Sequence, residues 1–167
     1  LLYRSDEVPE DMSRLCAVRD TALNLPSTTV YIMDSGMAAI LGATQDSRVR
    51  ACHHAIVLDV ATSHTIAASF SGNELCSFVE YHTKDIRLDR METLLQELAE
   101  GQLRHAKILT EGGHGAYTRR ALGFGSIEII LATGPRRALL AGLNLPIKLG
   151  TPLGDNMMTG TTGLLEA

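Results

Sequence analysis

One short segment combines an acid, three hydroxyls and an imidazole. LDVATSHT, residues 58–65, contains Asp59 and then Thr62, Ser63, His64 and Thr65. Mg²⁺ prefers one or two carboxylates together with phosphate oxygens, and the hydroxyls could donate to those phosphates. The alternative is an ordinary hairpin, in which the turn Asp caps free backbone N–H groups. Phosphate loops usually rely on glycine, whereas this segment has Ala61, which limits close backbone approach. The segment is therefore a candidate phosphate loop, metal site or plain turn.

Three histidines form a second candidate site. His64 follows the loop, His82 ends a predicted strand, and His114 lies in the flexible run EGGHG, residues 111–115. Imidazole is a good ligand for zinc and iron, so the three histidines with Asp59 or Glu111 could bind such a metal. The alternative is three unrelated polar histidines. We take Asp59, His64 and His114 as the candidate catalytic residues.

Other candidates lie at the ends of predicted strands. Asp34 and Asp155 each precede a small-residue helix, and Thr133-Gly134 lies between a strand and a helix. Ligands of α/β folds bind beyond the carboxyl ends of strands. Gly134 would let a base or ribose approach the backbone, with the next helix N-terminus favouring an anion. The alternatives are capping acids and a plain strand–helix turn.

The predicted elements form a mixed α/β layer. Residues 53–60, 64–70 and 75–83 read as strands, with Gly72-Asn73 as a hairpin signal. Helix 87–101 follows, then a glycine-rich turn between two short helical pieces in 105–123. Alternating strands and helices complete the chain: strand 127–134, helix 135–143, strand 145–152 and helix 154–167. The order predicts a three-strand antiparallel meander extended by helical crossovers.

The predicted elements of the first 50 residues are two helices and one strand. A helix runs from Pro9 to before Pro26, a strand covers 28–34, a helix covers 37–43, and 44–50 reads as a linker. Residues 34–43, DSGMAAILGA, echo residues 155–164, DNMMTGTTGL. The echo is either coincidence or a duplicated unit whose small residues let two helices pack backbone to backbone. The opening LLYRSDEVPEDM does not read as an opening strand, so we expect residues 1–50 to end a first lobe and 51–167 to form a complete second lobe.

Composition narrows the class of protein. Apolar residues make up 45%, so a core can form, and the net charge is −4 without a basic cluster, which argues against nucleic acid. No apolar run reaches the ~18 residues of a membrane span, and no signal peptide is visible. Cys16, Cys52 and Cys76 are odd in number and far apart, which predicts reduced thiols in a cytoplasmic protein.

These motifs together resemble the actin, sugar-kinase and Hsp70 ATPase superfamily, whose lobes share a ribonuclease H-like fold. LDVATSHT resembles its second phosphate hairpin, ILATGP (130–135) its adenosine motif, and residues 34–43 and 154–163 its two connecting helices. More narrowly, HHAIVLDV, EGGHGAY and GDNMMTGTTGLL resemble an uncharacterised prokaryotic family labelled "putative pyruvate formate-lyase activating enzyme". Enzymes of that name need a CxxxCxxC cluster, and the three cysteines are too widely spaced to hold an iron–sulfur cluster.

The resemblance implies a C-terminal lobe that binds ATP and Mg²⁺ between lobes. It implies that Asp59 positions the metal and that residues 61–65 bind phosphates through Thr62, Ser63 and Thr65. Thr133 and Gly134 would contact adenosine, and Asp34 and Asp155 would lie at the cleft. Partners would be the missing N-terminal lobe, a nucleotide, an unknown small-molecule substrate and a possible second copy of the chain.

Three functions remain open from the sequence. The first is an ATPase or phosphotransferase of unknown substrate, in which case this chain alone should bind nucleotide poorly because it lacks the first phosphate hairpin. The second is a metal-dependent enzyme that uses the three histidines and Asp59. The third is a non-catalytic interaction domain with Met157-Met158 as its contact surface.

Overall fold

A six-stranded mixed sheet forms the centre of the fold in the computed structural model, which describes residues 2–167. Its strands are β3 (His54–Val60), β4 (His64–Ser71), β5 (Glu74–His82), β6 (Gly115–Thr118), β7 (Ile129–Thr133) and β8 (Ile147–Leu149). The spatial order is β6-β5-β4-β3-β7-β8. Strands β3 to β6 pair antiparallel, whereas β7 and β8 add parallel to the other side of β3. The meander with parallel additions confirms the predicted α/β, ribonuclease H-like class.

The fold contains six α-helices within residues 2–167. They are α1 (Ser13–Ala22), α2 (Ser35–Ala43), α3 (Ser47–Arg50), α4 (Leu88–Ala99), α5 (His105–Thr110) and α6 (Thr159–Glu166). Of these, α4 and α2 cover opposite faces of the six-stranded sheet. A separate two-stranded antiparallel sheet pairs β1 (Leu2–Arg4) with β2 (Tyr31–Met33). Every helix within residues 2–167 is too short or too polar to cross a lipid bilayer.

Strand alternation divides the core into two layers. Successive side chains of a strand point to opposite faces, so each inner strand contributes to both layers. Leu58 and Val60 of β3 pack with Leu95 of α4 on one face. Val57 of β3 packs with Ile40 of α2 on the other face. Asp59 and His64 fall on the α2 face by the same alternation.

Helices α2 and α6 pack backbone to backbone, as their small residues predicted. A Cβ placed on Gly42 would lie 1.8 Å from the carbonyl oxygen of Thr159. A Cβ on Gly163 would lie 1.8 Å from the carbonyl oxygen of Ala38. Only residues without a side chain permit this approach, because real Cβ atoms do not come so close to another atom.

Several predicted elements were wrong. The second helical piece in 105–123 is instead β6, which pairs with the edge of β5. The predicted linker 44–50 contains α3, where the Asp46 side chain accepts a hydrogen bond from the backbone N–H of Arg48. The opening residues do form a strand, because Leu2 pairs with Met33.

The last elements are shorter than predicted. Residues 137–142 form a 3₁₀ helix, and β8 covers three residues. The final helix begins at Thr159, after a 3₁₀ turn at 152–154 in which Leu153 has a positive φ of 52°. The helical pattern of residues 154–158 is thus interrupted by turn geometry.

Candidate functional site

A cavity of about 330 Å³ opens at the carboxyl end of β3. The first residues of α2 and α6 line it, as does the β3–β4 loop. From these elements it receives Asp34, Ser35, Gly36, Asp59, Ala61, Thr62, Ser63, His64, Asn156, Met157, Thr159 and Gly160. Five of the predicted site residues, Asp34, Asp59, Thr62, Ser63 and His64, therefore meet at one cavity.

Asp59 is the chemically distinctive group in this cavity. It is the next-to-last residue of central strand β3, and only 9% of its surface is exposed. Within residues 2–167, no protein group donates a hydrogen bond to its carboxylate. Burial raises the pKa of Asp59 to about 6, because the charged form loses hydration. A buried carboxylate without a donor is a ready ligand for a cation.

The β3–β4 loop is tight and presents hydroxyls at its tip. The backbone N–H of Ala61 donates to the carbonyl of His64 at 3.1 Å, and the Thr83 hydroxyl donates to the Ala61 carbonyl at 2.8 Å. Thr62 and Ser63 are exposed on the cavity wall. Leu153 is the one non-glycine residue with positive φ in residues 2–167, so this loop avoids the left-handed region and needs no glycine.

Thr65 lies outside the cavity. It is 3% exposed, and its Oγ1 is 3.0 Å from Thr83 Oγ1 within the interior. The reason is strand alternation: Thr65 follows His64 in β4 and points to the opposite face of the sheet. Thr62 and Ser63 therefore line the cavity, whereas Thr65 does not.

Thr133 and Gly134 are also absent from the cavity wall. Thr133 is buried, and its Oγ1 bonds Thr159 Oγ1 at 2.8 Å, which joins β7 to α6. Gly134 has φ +90°, and a Cβ there would lie 2.6 Å from both Asp59 Oδ1 and the Val60 carbonyl. The close approach predicted for Gly134 is thus made to Asp59 and its strand.

The other two predicted strand-end acids accept hydrogen bonds from the backbone, and Asp155 follows the 3₁₀ turn 152–154 rather than a strand. Asp34 Oδ1 accepts hydrogen bonds from the backbone N–H groups of Gly36 at 2.8 Å and Met37 at 3.2 Å. Asp155 is exposed and accepts from Met157 N at 2.8 Å, outside the cavity wall. Asp34 borders the cavity while capping α2. Backbone N–H groups donate hydrogen bonds to both acids, which distinguishes them from Asp59.

Two charged residues of the cavity wall were missed by sequence reasoning. Glu80 of β5 lies on the same face as His82, so strand alternation could have identified it. Arg14 comes from α1, and no sequence signal linked that helix to the loop. Together they give the cavity mouth one further acid and one cation.

The three candidate histidines do converge. One ring nitrogen each of His64, His82 and His114 lies within 4.8 Å of the others. His114 Nε2 is 3.2 Å from His82 Nε2, and Ser63 Oγ is 3.0 Å from His64 Nδ1. Asp59 is not part of this cluster.

Glu111, the alternative acid for the cluster, is engaged elsewhere. It accepts hydrogen bonds from the Tyr81 hydroxyl at 2.5 Å and from Arg90 Nε at 3.0 Å. The hydrogen bonds of Tyr81 and Arg90 lower the pKa of Glu111 against the opposing effect of burial. Glu111 thus belongs to an ion-pair network that contacts α4.

A family model described as "Putative pyruvate format-lyase activating enzyme (DUF1786)" matches residues 1–139. The chain belongs to this family. The predicted family is thereby confirmed. No curated protein matches the chain by sequence.

Among solved structures, the chain is similar to one titled a crystal structure of apo pSK41 ParM protein. The two are 13% identical with a TM-score of 0.43, and the match covers 96% of this chain and 59% of the ParM chain. The chain therefore spans less than two thirds of the length of that ParM protein.

Proposed function

We propose that this family member binds a nucleotide, with ATP as the best candidate, together with Mg²⁺ in the cavity at the end of β3. The observation that carries the proposal is Asp59, a carboxylate that is 9% exposed, unpaired within residues 2–167, and adjacent to a hydroxyl-bearing loop. An ionised carboxylate in this position is unfavourable unless a cation neutralises it. Phosphate oxygens and water would complete the coordination that Mg²⁺ prefers.

The two helix termini at the cavity differ in a way that suits an anion. Asp34 caps α2 and occupies its first free N–H groups. Helix α6 has Met158 at its N-cap and no side-chain cap. The first N–H groups of α6 are therefore free to donate, and the helix dipole favours negative charge there. We assign phosphate binding to the α6 N-terminus with Thr62 and Ser63.

The chemistry that follows is positioning and charge neutralisation, as is general for phosphoryl transfer. Asp59 would hold Mg²⁺ through water and thereby orient the phosphates. We further propose that residues 1–50 are the end of a first lobe and residues 51–167 a second lobe. The remainder of the protein would then supply the other side of the cleft and an unknown phosphoryl acceptor.

Calorimetric titration of the full-length protein with Mg·ATP tests this function. We expect saturable heat that is lost on chelation of Mg²⁺ and an affinity at least about 10-fold lower in Asp59→Ala, which corresponds to about 1.4 kcal/mol. Asp89→Ala is the matched control, because Asp89 is an exposed acid on α4 that pairs with Arg87. Absence of heat at millimolar ATP, or an unchanged affinity in Asp59→Ala, would refute the proposal.

An interaction domain is the second candidate, favoured by an exposed apolar segment before α6. Leu153, Met157 and Met158 are 76%, 66% and 47% exposed. Exposed apolar side chains grouped in one short segment are a candidate contact site. A self-association that Met158→Ser weakens, together with no nucleotide binding, would favour this function over the first.

A further inference from the structure

We propose that His64, His82 and His114 bind one divalent transition-metal ion of the zinc class, at a site separate from the Mg²⁺ position assigned to Asp59. The sheet brings the three residues together from three places: the start of β4, the end of β5 and the turn before β6. His64 and His82 are half-buried and His114 is exposed. The site is therefore partly desolvated and still accessible to an ion.

The strand register places two of the ligands side by side. His64 lies directly opposite His82 in the β4–β5 ladder. The backbone N–H of Thr83 donates to the Ser63 carbonyl at 2.9 Å. Ser63 and Thr83, which are adjacent to His64 and His82, are therefore the hydrogen-bonded pair. His64 and His82 are consequently a non-hydrogen-bonded pair, in which side chains lie closest together.

The third ligand is delivered by a glycine-rich turn. The backbone N–H of His114 donates to the Glu80 carbonyl at 2.9 Å, which fixes the turn against β5. A Cβ on Gly113 would lie 2.7 Å from an Ile108 methyl, and one on Gly115 would lie 2.5 Å from the His105 ring. Glycines on both sides therefore allow His114 to reach the other two histidines.

The spacing of two ring nitrogens fits a shared ion, and a ring nitrogen of His64 lies within 4.8 Å of the other two histidines. The 3.2 Å between His82 Nε2 and His114 Nε2 is close to the ~3.3 Å expected for two imidazoles bound 2.0–2.1 Å from one tetrahedral zinc. Ser63 Oγ contacts His64 Nδ1 at 3.0 Å, which leaves Nε2 of that ring for the metal. Such a hydrogen bond to the distal nitrogen is the usual support of a metal-bound histidine.

The donor set defines the class of ion. Three neutral imidazoles suit Zn²⁺, Co²⁺, Ni²⁺ or Cu²⁺, whereas Mg²⁺ requires oxygen ligands. Three protein ligands leave a fourth position open for water or another oxygen donor. Because His64 and Ser63 also line the cavity, an ion held by the histidines borders the cavity described above.

Cobalt binding to the metal-stripped protein, prepared without a polyhistidine tag, tests the site. We expect one Co²⁺ per chain, visible ligand-field absorption of imidazole coordination, and no displacement by excess Mg²⁺. His64→Ala, His82→Ala and His114→Ala should each weaken binding at least about 10-fold, and the triple variant should abolish it. Ser63→Ala should weaken binding roughly 10-fold through the lost support of His64. No nucleotide is added, so the result is independent of the proposed ATP site.

His53→Ala is the matched control. Its ring lies 4.7 Å from that of His54, but these two histidines belong to no group of three metal-binding side chains in residues 2–167. Binding should be unchanged in this variant. Circular dichroism verifies the fold of each variant, and His114→Ala changes an exposed side chain. No saturable Co²⁺ binding by the wild-type protein, or equal binding by the triple variant, would overturn the proposal and leave a hydrogen-bonded histidine cluster.

Discussion

Gly42→Ala should destabilise the protein by forcing α2 and α6 apart. The new Cβ would start 1.8 Å from the Thr159 carbonyl oxygen, and normal contact requires about 3.5 Å, so the helices must separate by about 1.7 Å. Overpacking costs up to about 3 kcal/mol, and the clash is with backbone, which has no alternative rotamer. Alanine recovers about 1 kcal/mol in helix propensity. The net loss is about 2 kcal/mol, or a Tm lower by about 4–8 °C.

Gly160→Ala is the matched control for this experiment. Gly160 lies in α6, yet a Cβ there would have its nearest neighbours at 3.9 Å. Its alanine variant should therefore be neutral or gain up to about 1 kcal/mol from propensity and reduced unfolded-state entropy. Both variants are measured by denaturant and thermal unfolding. Equal stability of the two variants would refute the backbone-to-backbone account of this helix pair.

Three further substitutions test the environment of the site. Asp59→Asn should raise stability at pH 8 by about 3 kcal/mol, because the pKa of the carboxyl rises from ~3.9 unfolded to about 6 folded. This gain should decline as pH falls from 6 to 4 and vanish below; a pH-independent difference in denaturant unfolding would contradict it. Gly134 has φ +90°, so Gly134→Ala should lower the free energy of unfolding by about 2–4 kcal/mol through backbone strain and contact with Asp59. A loss below about 1 kcal/mol in denaturant unfolding would count against that contact. Gly115→Ala should lower Co²⁺ affinity roughly 10-fold by displacing His114 from the cluster, and an unaltered titration would contradict that role.

The meander was predictable because its signals are local. The apolar runs of β3 and β4 are almost continuously buried, and Gly72-Asn73 marks the hairpin that joins β4 to β5. A one-residue bulge between Ser69 and Phe70 sets the register that places His64 opposite His82, so that pair did not follow from the hairpin turn alone. Alternation along β4 already indicates that Thr65 and His64 point to opposite faces of the sheet.

The missed elements depend on distant partners. Residues 115–118 become β6 because β5 offers a free edge, and the short sequence GAYT has no strong pattern of its own. β1 likewise exists only through its pairing with β2. Arg14 reaches the cavity because of how α1 packs, which no spacing along the chain encodes. Helix α3 differs from these elements, because Asp46 is a typical N-cap residue and could have been recognised in the sequence.

The position of His114 has a consequence for how firmly the sheet edge is held. Strand β6 is an edge strand joined to β5 by four residue pairs, whereas β3 is paired on both sides. An ion bound by the histidine cluster would act as a cross-link from the turn before β6 to the inner strands. Deuterium uptake by the amides of β6 should then slow when Zn²⁺ is added, while that of β3 stays unchanged. The rate of amide exchange in β6 would thus depend on whether the histidine cluster holds a metal ion.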